Sequence, residues 1–114
     1  PILAGRGTAT ARREVAGFYA SLAAIFDAWV TRRESPHTQR AYRDDVMTFV
    51  RFMGWAWPED APRLLGVSIR DVQNFRAALV AGGGAPKTVN RRVSSLSSFY
   101  KYLAGAAAEL RLPI

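Results

Sequence analysis

Apolar residues recur along this chain at helical intervals, and no segment sustains the period-two alternation of a strand. Phe18, Leu22, Ile25, Phe26 and Trp29 stand at offsets 0, 4, 7, 8 and 11, one stripe that predicts a first helix from about Val15 to Arg33. Ser35-Pro36 predicts the start of a second, an N-cap followed by proline at the first helical position. Its stripe is Tyr42, Val46, Phe49, Val50 and Met53, and Gly54 can end it. Pro58, Pro62 and Gly66 mark a connector with room for one short helical turn. A third helix is expected from Ser68, with Asp71 placed as in a capping box and Ile69, Val72, Phe75 and Leu79 as its buried face. Gly82-Gly83-Gly84 stops it. A fourth runs from Pro86 to about Leu103 on Val89, Val93, Leu96, Tyr100 and Leu103, with Gly105 as its C-cap. The pattern predicts an all-α bundle of crossed helical hairpins.

The 114 residues suffice for one domain that folds without staples. Half the composition is apolar, which excludes disorder for most of the chain. Absence of cysteine removes disulfides and thiol chemistry and fits a reducing cytosol. Apolar runs are only a few residues long, far short of the ~20 that cross a bilayer. A cytoplasmic domain is expected.

Charge narrows the function. Sixteen basic residues, fourteen of them Arg, oppose nine acidic ones for a net +7. Arg forks onto phosphates and guanines better than Lys does. The excess is localised: Arg6, Arg12 and Arg13 lie in a polar stretch, residues 1–14, read as a flexible basic arm. Lys87, Arg91, Arg92 and Lys101 lie in residues 85–104 without a single acid. Such asymmetry favours a binding face for a polyanion over general solubility.

Enzyme motifs are missing. One His, no Cys and no Gly-rich phosphate loop after a strand leave little catalytic chemistry. Adjacent Asp44 and Asp45 point about 100° apart on a helix and make no catalytic pair. They are read as acids favouring the helix dipole and pairing with Arg40 or Arg43. The two helix openings are more informative. His37, Thr38, Arg40 and Arg43 open the second helix, and Lys87, Thr88, Asn90, Arg91 and Arg92 open the fourth. Free amides and partial positive charge at a helix start attract phosphate, and these side chains add donors for phosphates and base edges. On the fourth helix Lys87, Asn90, Arg91, Ser94, Ser95 and Ser98 avoid the apolar stripe, and short serines allow close approach to a duplex. Replacing Lys87 or Arg91 is therefore expected to spare the fold, with Arg63 in the connector as control. Two other readings remain open: a SAM-like protein-interaction domain and a helix-turn-helix regulator, the latter disfavoured by the three glycines before the fourth helix.

The blocks S-P-H-T-Q-R-A-Y-R-D-D-V-x-x-F-V-R-F, S-I-R-D-V-Q-N-F and K-T-V-N-R-R-V-S-S-L-S-S-F-Y-K-Y-L, in this order, resemble the N-terminal core-binding domain of tyrosine recombinases. That family includes phage integrases, the Xer resolvases and Cre recombinase. The resemblance covers about residues 18–104 and implies a SAM-like orthogonal bundle of four to five helices clamping one face of a recombination site. Carried over by position, it assigns DNA contact to His37, Thr38, Arg40, Arg43, Lys87, Thr88, Asn90, Arg91 and Arg92. It implies double-stranded DNA and neighbouring protomers as partners, the first helix facing the latter, with no cofactor, metal, membrane or small-molecule ligand. Where the family often has Ser, this chain has Ala85, so Pro86 must start its helix without a side-chain cap. His37-Thr38-Gln39-Arg40 spells the H-x-x-R string of the family's catalytic box, yet it lies in the block matching the DNA-binding domain. The resemblance thus implies a noncatalytic fragment with a core-binding domain over residues 15–105. Residues 106–114 would begin the linker to a separate catalytic domain.

Overall fold

A computed structural model describes residues 8–109, all of its regular structure helical. Five α-helices follow in order: α1 (Thr8–Ala20), α2 (Leu22–Thr31), α3 (Pro36–Phe52), α4 (Ile69–Ala81) and α5 (Pro86–Glu109). A 3-10 helix, Ala61–Gly66, occupies the expected connector between α3 and α4.

Local chemistry explains most boundaries. The Ser35 side chain accepts from the Thr38 amide, and Pro36 follows it at the first helical position. At α4 the capping box is complete: Asp71 N–H donates to Ser68 Oγ at 3.2 Å, and Ser68 N–H to Asp71 Oδ2 at 2.9 Å. Helices α3 and α4 end alike. The Trp55 amide reaches back to the Val50 carbonyl and Gly54 to Arg51; Gly84 reaches Leu79 and Gly83 reaches Val80. These are paired Schellman bonds, and the turn residue takes φ of 73° at Gly54 and 82° at Gly83. Only glycine adopts that conformation without a steric penalty.

Four expectations need correction. The single helix expected from Val15 to Arg33 is two, broken at Ser21, whose hydroxyl and amide both bond the Gly17 carbonyl at 2.8 and 3.0 Å. A hydroxyl competing for a helix carbonyl bends the chain. Helix α1 also starts at Thr8, so residues 8–14 of the expected flexible arm are helical; residues 1–7, including Arg6, lie outside the described residues. Helix α5 runs through Gly105 to Glu109 rather than stopping near Leu103. One mid-helix glycine costs only about 1 kcal/mol, and burial of Ala107 in the core, worth about 0.8 kcal/mol, largely offsets it. Residues 106–109 of the expected linker thus extend α5, while 110–114 lie outside the described residues. Finally, Ile69 is 79% exposed, because the first residue of α4 points away from the side that Phe75 buries.

The core gathers at least one aromatic from each α-helix, Phe18 being the one from α1. Phe26 and Trp29 of α2, Phe49 of α3, Phe75 of α4 and Phe99 of α5 are all fully buried. Their rings meet mostly edge to face, with centroids 5.1 Å apart for Phe49–Phe75 and 5.4 Å for Trp29–Phe99. Such contacts add about 0.5–1.5 kcal/mol each beyond area burial. Helix α5 packs most extensively on α3, and also on α4 and α2, which makes it the central strut of the bundle. Its remaining side faces solvent.

Candidate nucleic-acid interface

Helix α5 buries Val89, Ser95, Leu96, Phe99, Leu103 and Ala107. At 100° per residue these define one arc, and the opposite arc carries Lys87, Asn90, Ser94, Ser97 and Lys101, all exposed. The two lysines are fourteen residues apart, about 21 Å along the axis at the α-helical rise. Between them, past Asn90, stand the short hydroxyl side chains of Ser94 and Ser97.

The flank of α5 toward α3 is built on a buried carboxylate. Asp45 is only 1% exposed, and its oxygens accept from three side chains of α5. Arg91 donates through Nη2 to Oδ1 at 2.8 Å and through Nε to Oδ2 at 3.2 Å. Ser95 Oγ donates to Oδ2 at 2.6 Å, and Arg92 Nη1 approaches Oδ1 at 3.4 Å. Arg92 Nη1 also donates to Thr48 Oγ1 at 2.7 Å. The expectation that Asp45 acts as a dipole acid pairing with Arg40 or Arg43 is therefore overturned. Asp45 lies well past the first turn of α3, on the side where α5 packs, and a buried charge requires partners there. Ser95, expected on the outer surface, is buried for the same reason.

These bonds sort the residues singled out from the sequence. His37 and Thr38 at the start of α3 line a cleft of about 310 Å³ with Ala41, Tyr42, Arg91, Ser94 and Ser98, so the openings of α3 and α5 do converge. Arg91 spans both roles, clamped to Asp45 yet 52% exposed at its side chain. Arg92 is turned inward to Thr48. Arg43 lies on the opposite flank of α3, paired with Asp27 of α2 at 3.1 Å and stacked over Phe26. Arg40 is exposed and pairs with no acid among the described residues. Asn90 is exposed but accepts from Arg76 Nη1 of α4 at 2.9 Å. Thr88 is half-buried, and Ala85 offers no side-chain acceptor to the first amides of α5.

Arg32 at the end of α2 was not among the sequence candidates. It donates to Ser98 Oγ at 3.4 Å and lies over the Tyr102 ring, 5.3 Å from its centroid. With Lys101, Ser94, Ser97 and Ser98 it borders a shallow surface that continues the cleft along α5. The helical stripe alone marks Lys101 as outward; Arg32 joins it only through the packing of α2 on α5. Among the described residues no cluster of three or more His, Asp or Glu could hold a metal, and no helix is long and apolar enough to cross a membrane.

Residues 26–106 match the family model for the phage integrase N-terminal SAM-like domain. The chain belongs to this family.

Curated relatives of the SAM-like domain are recombinases. A tyrosine recombinase of Thermosipho africanus is 35% identical over 77 residues, which is 63% of this chain and 25% of the relative. The tyrosine recombinase XerC of Staphylococcus carnosus is 32% identical over 73 residues, 64% of this chain and 23% of that protein. XerC of Oceanobacillus iheyensis is 30% identical over 74 residues, 65% of this chain and 23% of that protein. The chain spans about a quarter of the length of these relatives. No solved structure matches it significantly. The match begins at Phe26 in α2 and ends at Ala106 in α5, so it encloses the Asp45 clamp, the cleft and the outward face of α5. Helix α1, with Arg12 and Arg13 exposed upon it, precedes the matched region.

Proposed function

We propose that this chain binds duplex DNA as the noncatalytic N-terminal domain of a tyrosine recombinase. Cleavage and rejoining would be carried out by a part of the full-length protein outside these residues. The observation that carries the reading is the outward face of α5. It has a cation at each end, Lys87 and Lys101, and short serines between them, with the α3 opening alongside. A major groove is about 12 Å wide and bordered by phosphates on both sides. A helix whose cations are about 21 Å apart reaches both phosphate rows while its serines approach the bases. Arg40 and Arg32 extend the cationic border, whereas Arg43 and Arg92 are committed to bonds within the fold and add little. Neighbouring protomers are the second partner class in this reading, and a cytoplasmic location follows from it.

Salt dependence tests the proposal. Lys87, Lys101, Arg40 and Arg32, with the Arg91 charge offset by Asp45 and left out of the count, correspond to roughly three to four phosphates. At about −0.9 per phosphate, log affinity against log salt falls with a slope near −3. A slope shallower than about −1 would give precedence to protein docking. A nicked suicide duplex that trapped a phosphotyrosyl adduct on this chain would overturn the noncatalytic assignment.

A further inference from the structure

The clamp on Arg91 is asymmetric. All of its bonds to Asp45 use Nε and Nη2, one side of the guanidinium, and leave Nη1 outside. The carboxylate is held in turn by Ser95 at 2.6 Å and is shielded from water. Arg91 lines the cleft together with His37, Thr38 and Ser94, and its Nη1 makes no bond to Asp45. An unclamped arginine at a half-exposed position samples many rotamers and follows the nearest phosphate. A planar fork fixed along one side keeps its other end, Nη1 with the second hydrogen of Nη2, in a single orientation. That end has the geometry that pairs with guanine O6 and N7.

We propose that Asp45 is a positioning residue that fixes Arg91 as a reader of one guanine. The inference rests on the DNA-binding reading above and deepens it: Lys87 and Lys101 engage the backbone whatever the sequence, whereas the Asp45–Arg91 pair supplies sequence preference. The clamp also has an electrostatic side. One buried negative charge offsets the two guanidinium groups beside it, so Arg91 adds less to phosphate attraction than an isolated arginine does.

The test uses the whole chain and a pool of short duplexes randomised at their central positions, with bound molecules sequenced. Wild type enriches guanine at one position by about 5- to 150-fold, the range expected of one bidentate contact. Asp45→Asn, checked for folding by circular dichroism, flattens that preference to within about twofold of none. Its affinity for the unselected pool holds or rises, because a negative charge is gone. A merely structural role of Asp45 gives a different pattern, in which preference and pool affinity fall together, and that result overturns the proposal. So does a folded Asp45→Asn chain that keeps its preference, or a wild type that binds the pool evenly. If Asp45→Asn does not fold, Arg91→Lys decides. It keeps the charge and loses the fork, so a flattened preference supports the assignment and a retained one overturns it. Failure of wild type to bind any duplex overturns the DNA-binding reading itself and is recognised separately by the pool affinity.

Discussion

Contrary to the expectation from the apolar stripe that replacing Arg91 spares the fold, Arg91→Ala should weaken the fold as well as the interface, because Arg91 is a partner of the buried Asp45. The substitution removes the shortest charged contact to a carboxylate that is 1% exposed. Stripping a buried charge of its partners costs about 3–5 kcal/mol. Here Ser95 and Arg92 remain on Asp45, and the Arg91 side chain is 52% exposed, so part of its attraction is already screened by water. The estimate therefore falls to the range of a hydrogen bond to a charged group, about 1.5–3 kcal/mol. For a domain of this size that is a drop in Tm of about 6–12 °C. Thermal melting and urea titration of wild type, Arg91→Ala, Asp45→Ala and the double variant measure it directly. The double-mutant cycle should return a coupling of at least about 1 kcal/mol. Arg63→Ala is the control: its pair with Asp60 is an exposed i,i+3 contact at 3.4 Å, worth under about 0.5 kcal/mol. If Arg91→Ala melted within the error of Arg63→Ala, the clamp would contribute nothing and the reasoning would fail. Any loss of DNA affinity in Arg91→Ala must accordingly be read after correction for the folded fraction.

Lys101→Ala should leave Tm unchanged and reduce the magnitude of the salt slope by about one unit, equally on any duplex; an unchanged slope would remove Lys101 from the interface. The Tyr100 phenol donates to the Leu64 carbonyl at 2.6 Å, and burial, reinforced by the negative charge of Asp71, pushes its pKa above the ordinary 10.0. A raised value favours the neutral form in the folded state, so this stabilisation is complete below pH 10 and is lost as pH rises through the folded value. Alkaline unfolding should thus be shallower in Tyr100→Phe, and equal pH slopes would refute the assignment. Gly83→Ala forces a side chain into φ of 82° and should cost about 1–2 kcal/mol in urea unfolding, with the DNA salt slope unaltered.

The regular structure of this chain was legible in the sequence because its signals are local. The Ser35-Pro36 start, the Ser68/Asp71 box and the glycine stops each act through bonds between residues at most five apart. The stripes that include Phe26, Phe49, Phe75 and Leu96 required only that each helix bury one side. The family blocks were legible for the same reason, since they combine those stripes with the two polar helix openings. Where several local signals competed, the nearest of them misled. Gly105 looks like a stop, yet burial of Ala107 against the core carries α5 onward.

The destinations of the charged side chains were decided by tertiary packing. Arg40, Arg43 and Arg91 look alike as cations near helix openings, and nothing within their own helices names their partners. Arg43 meets Asp27 across sixteen positions, and Arg91 meets Asp45 across forty-six. Those encounters exist only because α3 packs against both α2 and α5 in the bundle. Burial of Asp45 follows from the same crossing, and once the carboxylate is out of water it must recruit Arg91, Arg92 and Ser95. Periodicity names the side of a helix that avoids water. It does not name the helix that covers that side, and the covering helix determines which arginines stay available to a partner.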